Sequence, residues 1–336
     1  VMYMPVQVRV AELSEIYKYA VEKKEPVLVT GESGIGKTEK TNVFADEYGG
    51  KIDVRFSQLD PSDLKGVPYM EGGLSFWAVP DILPQVERDG EKGVLIWDEY
   101  LDAKQDTMMG GQQLILERRL GGYHLPDGWI IIALGNRKQH GGVNRGLSSA
   151  QQDRFMHFEA VMDIDDLKDH FIKKQVDPIV ISFLHLHGSK LAHQRPEKGS
   201  DEWAWPTPRS WERLSHIRKQ SPSKALRHAL YSSLVGEGAA VQFIAHEDIA
   251  VEVPDPDDCI NNPMKAMVPE NPSAKYAIAC ALGSHATTKN FENIAKYIGR
   301  LPGEFSILTI KGMNPEVMDC KAFGTWARKN EDILLG

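Results

Sequence analysis

Residues 26 to 38 read Pro26-Val27-Leu28-Val29-Thr30-Gly31-Glu32-Ser33-Gly34-Ile35-Gly36-Lys37-Thr38, and EKTNVFADEY follows. A short β-branched apolar run enters a glycine-rich turn, and the residues from Lys37 onward read as a helix that ends at Gly49-Gly50. The turn satisfies G-x-x-x-x-G-K-[ST] in the context that gives the pattern meaning, a strand before it and a helix after it. The glycines let consecutive backbone N–H groups curl around phosphate oxygens, and the helix N-terminus adds the positive end of its dipole. Lys37 supplies a point charge to the β- and γ-phosphates, and Thr38 a hydroxyl to magnesium. Gly31, Glu32, Ser33, Gly34, Ile35, Gly36, Lys37 and Thr38 are therefore the expected nucleotide-binding residues, with ATP and Mg2+ as the expected ligands.

Working outward, Ala11 to Lys24 carries Leu13, Ile16, Tyr17 and Ala20 at helical spacing, and a second strand is expected at Ile52 to Phe56. Val94-Leu95-Ile96-Trp97 and Trp129 to Leu134 are continuous apolar runs, the mark of strands covered on both faces. Between them QQLILERR reads as a helix and LGGYHLPDGW as a hairpin, and a last strand is expected near Phe155 to Phe158. The fold class this implies is α/β, a P-loop parallel sheet flanked by helices. Asp60 to Pro84, which contains PSDLKGVPYMEGGLSFWAVP, is long for a plain connection and so reads as functional.

Chemistry is expected at the strand ends. Asp98, where VLIW stops, is where a carboxylate that orients magnesium should stand, and Thr38 and Asp98 form the expected metal pair. Glu99 follows it and is suited to polarise an attacking water, which points to hydrolysis rather than binding alone. Asn136, just past IIIALG, can reach the γ-phosphate or the water from an adjacent strand; its bland alternative is a turn asparagine. Arg154 in SSAQQDRF and Arg209 in PTPRSWERL are lone arginines, usually surface charges or ion-pair partners.

Beyond Asp163 the pattern is helical: DDLKDHFIKK, PIVISFLHLHGSKL, PRSWERLSHIRK and ALRHALYSSLVGEGAAVQFIA. The expected organisation is an α/β nucleotide-binding domain over 1–162 and an all-α lid over 163–252. A proline-rich acidic linker, Val253 to Pro272, with a helical C-terminal extension fills 253–336.

GESGIGKT, VLIWDE, the strand-end Asn136, the DRF of Asp153 to Phe155 and the PRSWERL arginine together resemble the AAA+ ATPases. ERRLGGYHLPDGWIIIALGN is similar to the hairpin and strand that precede sensor 1 in the MoxR-like branch, and the resemblance runs from about Val6 to Ala250. RKQHGGVNRGLSS after Asn136 departs from the NP-containing stretch of that branch and looks more like phage-type relatives. The resemblance implies that Asn136 is sensor 1, Arg154 an arginine finger acting on the neighbouring subunit's nucleotide, and Arg209 the sensor 2 arginine. Arg145 is an alternative finger, with Arg118 and Arg119 weaker ones. An arginine given in trans makes turnover depend on assembly, so a homo-oligomeric ring, typically a hexamer, is implied. A protein client is implied too, and relatives often act with a von Willebrand factor A-type partner. In this branch a helix insert after the second strand lines the pore, where Phe76 and Trp77 could grip a client or pack on their own domain.

Composition bounds the rest. The 336 residues are 42% hydrophobic and 26% charged, which suits a folded chain with a large core. A net charge of -8 disfavours non-specific nucleic-acid wrapping, although the basic RKQH and HIRKQ patches keep a nucleic-acid motor on the same scaffold as the alternative function. Cys259, Cys280 and Cys320 are far apart and fit reduced thiols, and His185, His187 and His193 read as packing or surface residues rather than ligands. No run approaches the roughly 18 to 20 apolar residues that span a bilayer, and no leader pattern opens the chain, so a cytoplasmic location without membrane contact is expected.

Overall fold

The computed structural model describes residues 6–136, 147, 152–196, 201–249 and 253–335. The chain divides into two compact units, Val1–Met162 and Asp163–Gly336. In the first, six strands form one all-parallel sheet: β1 (Val6–Arg9), β2 (Val27–Gly31), β3 (Lys51–Arg55), β6 (Lys92–Asp98), β9 (Gly128–Leu134) and β10 (Met156–Val161), in the order β1-β10-β2-β9-β6-β3. Helices α1 (Leu13–Lys23) and α2 (Lys37–Tyr48) cover one face and α5 (Gln105–Glu117) the other.

The apolar runs explain the layering. Along β6, Val94 and Ile96 pack with Leu13, Tyr17 and Phe44 of α1 and α2, while Leu95 and Trp97 pack with Leu114 and Ile115 of α5. In β9, Ile130, Ile132 and Leu134 join the first group and Trp129, Ile131 and Ala133 the second. Successive strand residues point to opposite faces, so a continuous apolar run is what a strand between two helical layers needs. Phe56, Trp97 and Tyr100 stack in the second layer with ring centres 4.5 to 5.7 Å apart, each ring essentially buried and worth about 2 to 3 kcal/mol in burial.

Two expectations change here. The opening residues include a strand, β1, which pairs with β10 at the sheet edge; it is four residues long with no buried position, too short and too polar to read from alternation. The insert after β3 is not built around a helix. A short α3 (Pro61–Lys65) leads into an antiparallel hairpin, β4 (Val67–Glu71) and β5 (Leu74–Ala78), turned at Gly72-Gly73, whose φ angles of 59° and 79° make a two-residue loop that L side chains rarely adopt. The expected hairpin at LGGYHLPDGW is present as β7 (Arg119–Leu120) and β8 (Tyr123–His124), after α4 (Val86–Asp89) and α5.

The second unit is helical throughout its described residues. Its helices are α6 (Ile164–Lys173), α7 (Pro178–His187), α8 (Ser189–Ala192), α9 (Pro208–Lys219), α10 (Lys224–Val235), α11 (Glu237–Ile249), α12 (Pro256–Asn261), α13 (Pro272–Ser284), α14 (Phe291–Ile298), α15 (Gly303–Lys311), α16 (Pro315–Met318), α17 (Lys321–Lys329) and α18 (Glu331–Leu335). The segment ALRHALYSSLVGEGAAVQFIA is two helices, broken at Gly236 with φ 81°. The stretch Val253 to Pro272 holds α12, whose Cys259 and Ile260 are buried. α13 packs against both α7 and α15, so the C-terminal helices share a core with the helices that follow Asp163.

Phe183, Trp211, Tyr231 and Phe243 centre that unit, and His246 lies against Phe183 with its Nε2 2.9 Å from the Ser182 hydroxyl. Burial, then the nearby His187 and Arg218, push the His246 imidazole down to about 4. An unfolded histidine titrates near 6.5, so the unfolded chain binds the extra proton first. The stability tied to a neutral His246 is complete above about pH 6.5 and is lost as pH falls towards 4, up to about 3 kcal/mol. Thermal melting from pH 7 to pH 4.5 should drop more steeply for the wild type than for His246→Gln; parallel slopes would contradict the assignment.

Candidate functional site

The parallel sheet turns all its strand C-termini to one edge, and the glycine-rich turn leaves that edge from β2. Gly31 has φ 154°, and a Cβ there would sit 2.5 Å from the Ala160 carbonyl of β10, so only glycine lets the chain leave the sheet at this point. Gly36, with φ 98°, caps α2 and leads into Lys37, which is buried. The Lys37 ammonium donates to the carbonyls of Gly31 (3.0 Å) and Glu32 (2.7 Å), which folds it over the turn it is expected to serve.

Asp98 ends β6, which is separated from β2 by β9 rather than paired with it. It is nonetheless within reach: the Thr38 hydroxyl and Asp98 Oδ2 are 3.4 Å apart. A hydroxyl and a carboxylate side by side at the head of α2 are the oxygen donors a hard, small cation prefers, so the two residues fit Mg2+. The intervening strand delivers Asn136, because Gly135 N donates to Val29 O (3.0 Å) and holds the tip of β9 beside that of β2.

Glu99 is left-handed, at φ 56° and ψ 32°, a conformation that costs a non-glycine residue about 1 to 2 kcal/mol. Its backbone N–H donates to Asp98 Oδ1 at 2.9 Å. The carboxylate is occupied by two groups sequence reading did not mark: Arg55 Nη1 donates to Oε1 at 3.1 Å, and the Ser57 hydroxyl donates to Oε2. Arg55 is level with Asp98 in the β3–β6 register, and no local sequence signal carries that pairing. Asp102 is the third unmarked residue. Burial and the charge of Glu99 hold its carboxyl above the ordinary range, while a hydrogen bond from the Asn136 side chain acts the other way. An acid three positions after Glu99 was visible in the sequence, but nothing there ties it to Asn136.

The remaining expected residues lie elsewhere. Arg154 precedes β10 at the opposite edge of the sheet: Met156 is level with Val27, and Gly31 is four residues further on, about 13 Å at the strand rise. Its Nη1 donates to Gln112 Oε1 of α5 at 2.6 Å. Arg118 donates to the carbonyls of Pro126 (2.9 Å) and Trp129 (2.8 Å) and Arg119 pairs with Glu117 (2.7 Å), so both serve the hairpin locally. Arg145 lies outside the described residues. Arg209 belongs to the second unit, in the first turn of α9 behind the Thr207 cap, with its side chain exposed. Phe76 and Trp77 are 41% and 51% exposed on β5, and Phe76 stacks on Tyr69 of β4 with ring centres 5.7 Å apart. His185 stacks on Tyr276 with ring centres 4.2 Å apart, and among the described residues no group of His, Cys, Asp and Glu is arranged to hold a metal. No helix among the described residues is long and apolar enough to cross a membrane.

The fold and this edge define a P-loop α/β domain followed by a helical region. No known family model matches the chain, and no curated protein does. Among solved structures it is similar to NtrX from Brucella abortus in complex with ADP, with a TM-score of 0.41 and 14% identity over 96% of this chain and 68% of that one. The likeness to the same protein in complex with ATP has a TM-score of 0.38 and 14% identity over 98% and 70% of the two chains. At these values the likeness decides nothing about what this chain does.

The Arg55 contact gives a direct test of Glu99. Arg55→Ala removes the one ion-pair partner of that carboxylate among the described residues, and if Glu99 serves as a base for hydrolysis, turnover should rise by about tenfold with the melting temperature nearly unchanged. Steady-state hydrolysis assays check it, and an unchanged kcat would show that the pairing has no bearing on Glu99.

Proposed function

We propose that this chain is an AAA+ ATPase that hydrolyses ATP at the edge formed by Lys37, Thr38, Asp98, Glu99 and Asn136. The observation that carries the reading is the convergence of these five side chains from two strand tips and one helix N-terminus, although 60 residues separate Thr38 from Asp98. Lys37 and the backbone amides of residues 31–38 hold the phosphates. Thr38 and Asp98 hold Mg2+, which when bound neutralises charge on the β- and γ-phosphate oxygens. Glu99, once released by Arg55 and Ser57, accepts the proton of the attacking water, and Asn136 orients that water or the γ-phosphate.

Arg154 supports an assembled enzyme. About 13 Å of strand separates its end of the sheet from its own Gly31, so any role it has in phosphoryl transfer is on a neighbouring copy. A closed ring, a hexamer in the branch the sequence resembles, satisfies that geometry, with Arg209 in the sensor 2 role. The hairpin β4–β5 supports a protein client. Val67, Tyr69, Met70, Leu74, Phe76 and Trp77 are all exposed on a ribbon whose only charged residue is Glu71. That composition suits apolar segments of a polypeptide, and it is consistent with a remodelling ATPase of MoxR-like type, acting with or without a von Willebrand factor A-type partner. Nucleic acid is less well served: in HIRKQ, Arg218 is held by Asp177 and Glu247 and Lys219 by the Gln175 carbonyl.

Light scattering with ATP and magnesium, run beside ATPase assays on wild type, Glu99→Gln and Arg154→Ala, tests the reading. We expect a ring near six protomers, nucleotide binding retained in both variants, and kcat lower by about a hundredfold or more in Glu99→Gln and about a thousandfold in Arg154→Ala. A monomer that hydrolyses ATP at the wild-type rate without Arg154 would exclude the ring mechanism, and DNA stimulation that fades steeply with salt would favour the nucleic-acid motor.

A further inference from the structure

We infer that Gln112 of α5 is a positioning residue for Arg154: its side-chain oxygen holds the guanidinium in the pose from which it serves the nucleotide of a neighbouring copy. This role rests on the reading of Arg154 as an arginine given in trans.

The backbone beside Arg154 is fixed by the core. Phe155, the next residue, is 8% exposed and meets Tyr100 edge to face with ring centres 5.6 Å apart, in the layer between the sheet and α5. His157 Nε2 and the Gln152 carbonyl are 2.6 Å apart, a contact that ties the residue two before Arg154 to the start of β10. Arg154 itself is half-buried, so what this backbone leaves undecided is the direction of its long side chain. Arginine loses more rotamer freedom than most side chains when it is ordered, and a group that must meet a transferring phosphoryl at hydrogen-bond range acts poorly from an ensemble of poses.

Gln112 supplies the missing constraint. α5 begins just past the turn that follows Glu99 and ends at the hairpin β7–β8. Gln112 stands four residues after Met108 and three before Ile115, both sealed in the core, so it lies at the border of the buried face of the helix and is half-buried there. From that rigid element Oε1 accepts from Arg154 Nη1 at 2.6 Å, across 42 residues of chain. Arginine only donates, so the carboxamide must turn its oxygen to it. Among the described residues this is the one hydrogen bond of the guanidinium, which leaves its other N–H groups for a phosphate oxygen. Glu117, the acid at the end of α5, is taken instead by Arg119 at 2.7 Å and Gln113 at 3.2 Å.

The test uses the full chain with ATP and magnesium. Gln112→Met keeps the length of the side chain but not the acceptor, and it should lose about tenfold in kcat with ATP affinity within about twofold and the melting temperature unchanged. Gln112→Glu keeps an acceptor and should recover part of that loss. In the Arg154→Ala background Gln112→Met should add nothing, because its effect runs through that arginine. Mixing reads action in trans: Gln112→Met subunits keep Glu99, and Glu99→Gln subunits keep Gln112 and Arg154. The mixture should turn over at least about twofold faster than the sum of the two proteins alone, a gain that a role in the fold or in the chain's own site does not give. Arg154→Ala mixed with Glu99→Gln is the control. A gain in the control with none for Gln112→Met overturns the inference alone, as do additive losses in the double variant or a kcat loss that only follows a fall in melting temperature. No gain in either mixture, or wild-type turnover by Arg154→Ala, removes the trans arginine itself, and the role of Gln112 falls with the reading it rests on.

Discussion

A strand buried on both faces has nowhere along its length for a polar side chain, and in this protein that constraint decides where chemistry can occur. β2, β6 and β9 each run between two helical layers with nearly every residue sealed. Polar groups can appear only where such a strand stops. Because the sheet is parallel, the three strands stop at the same edge, and Gly31, Asp98 and Asn136 emerge together there. The apolar runs and the site are thus one feature: residues that make the strands insoluble on their own also force the reactive groups to a common edge.

The same constraint explains what could be read in advance. GESGIGKT between an apolar run and a helix specifies its own local geometry, and VLIWDE and IIIALGN mark strand tips because burial ends abruptly at an acid or an amide. Those signals are local in the chain. Arg55 and Ser57 on Glu99, and Asp102 on Asn136, are pairings across strands, set by the register of β3 with β6 and of β6 with β9. Register depends on packing of the whole sheet, so no window of sequence contains it. β1 was missed for a related reason, being a polar edge strand whose partner β10 lies some 150 residues away. The left-handed backbone at Glu99 also has no signature in sequence, since glutamate has no preference for it.

The hairpin β4–β5 shows the opposite case. In PSDLKGVPYMEGGLSFWAVP the family resemblance implies a helix insert, whereas the two central glycines turn the segment into a hairpin. Its side chains are open to solvent, with only the Tyr69–Phe76 pair stacking across the ribbon at 5.7 Å. A two-stranded ribbon has little stability of its own. The apolar residues that remain exposed are the surface on which the proposed client contact rests.

Whether the edge of the sheet is a nucleotide site at all is tested most directly by calorimetric titration of ATP into wild type, Lys37→Ala and Thr38→Ala, with and without magnesium. The account predicts binding by the wild type that tightens with magnesium, loss of at least about a hundredfold in affinity for Lys37→Ala, and a magnesium dependence that largely disappears in Thr38→Ala. Equal affinity in all three proteins, with the same response to magnesium, would contradict it.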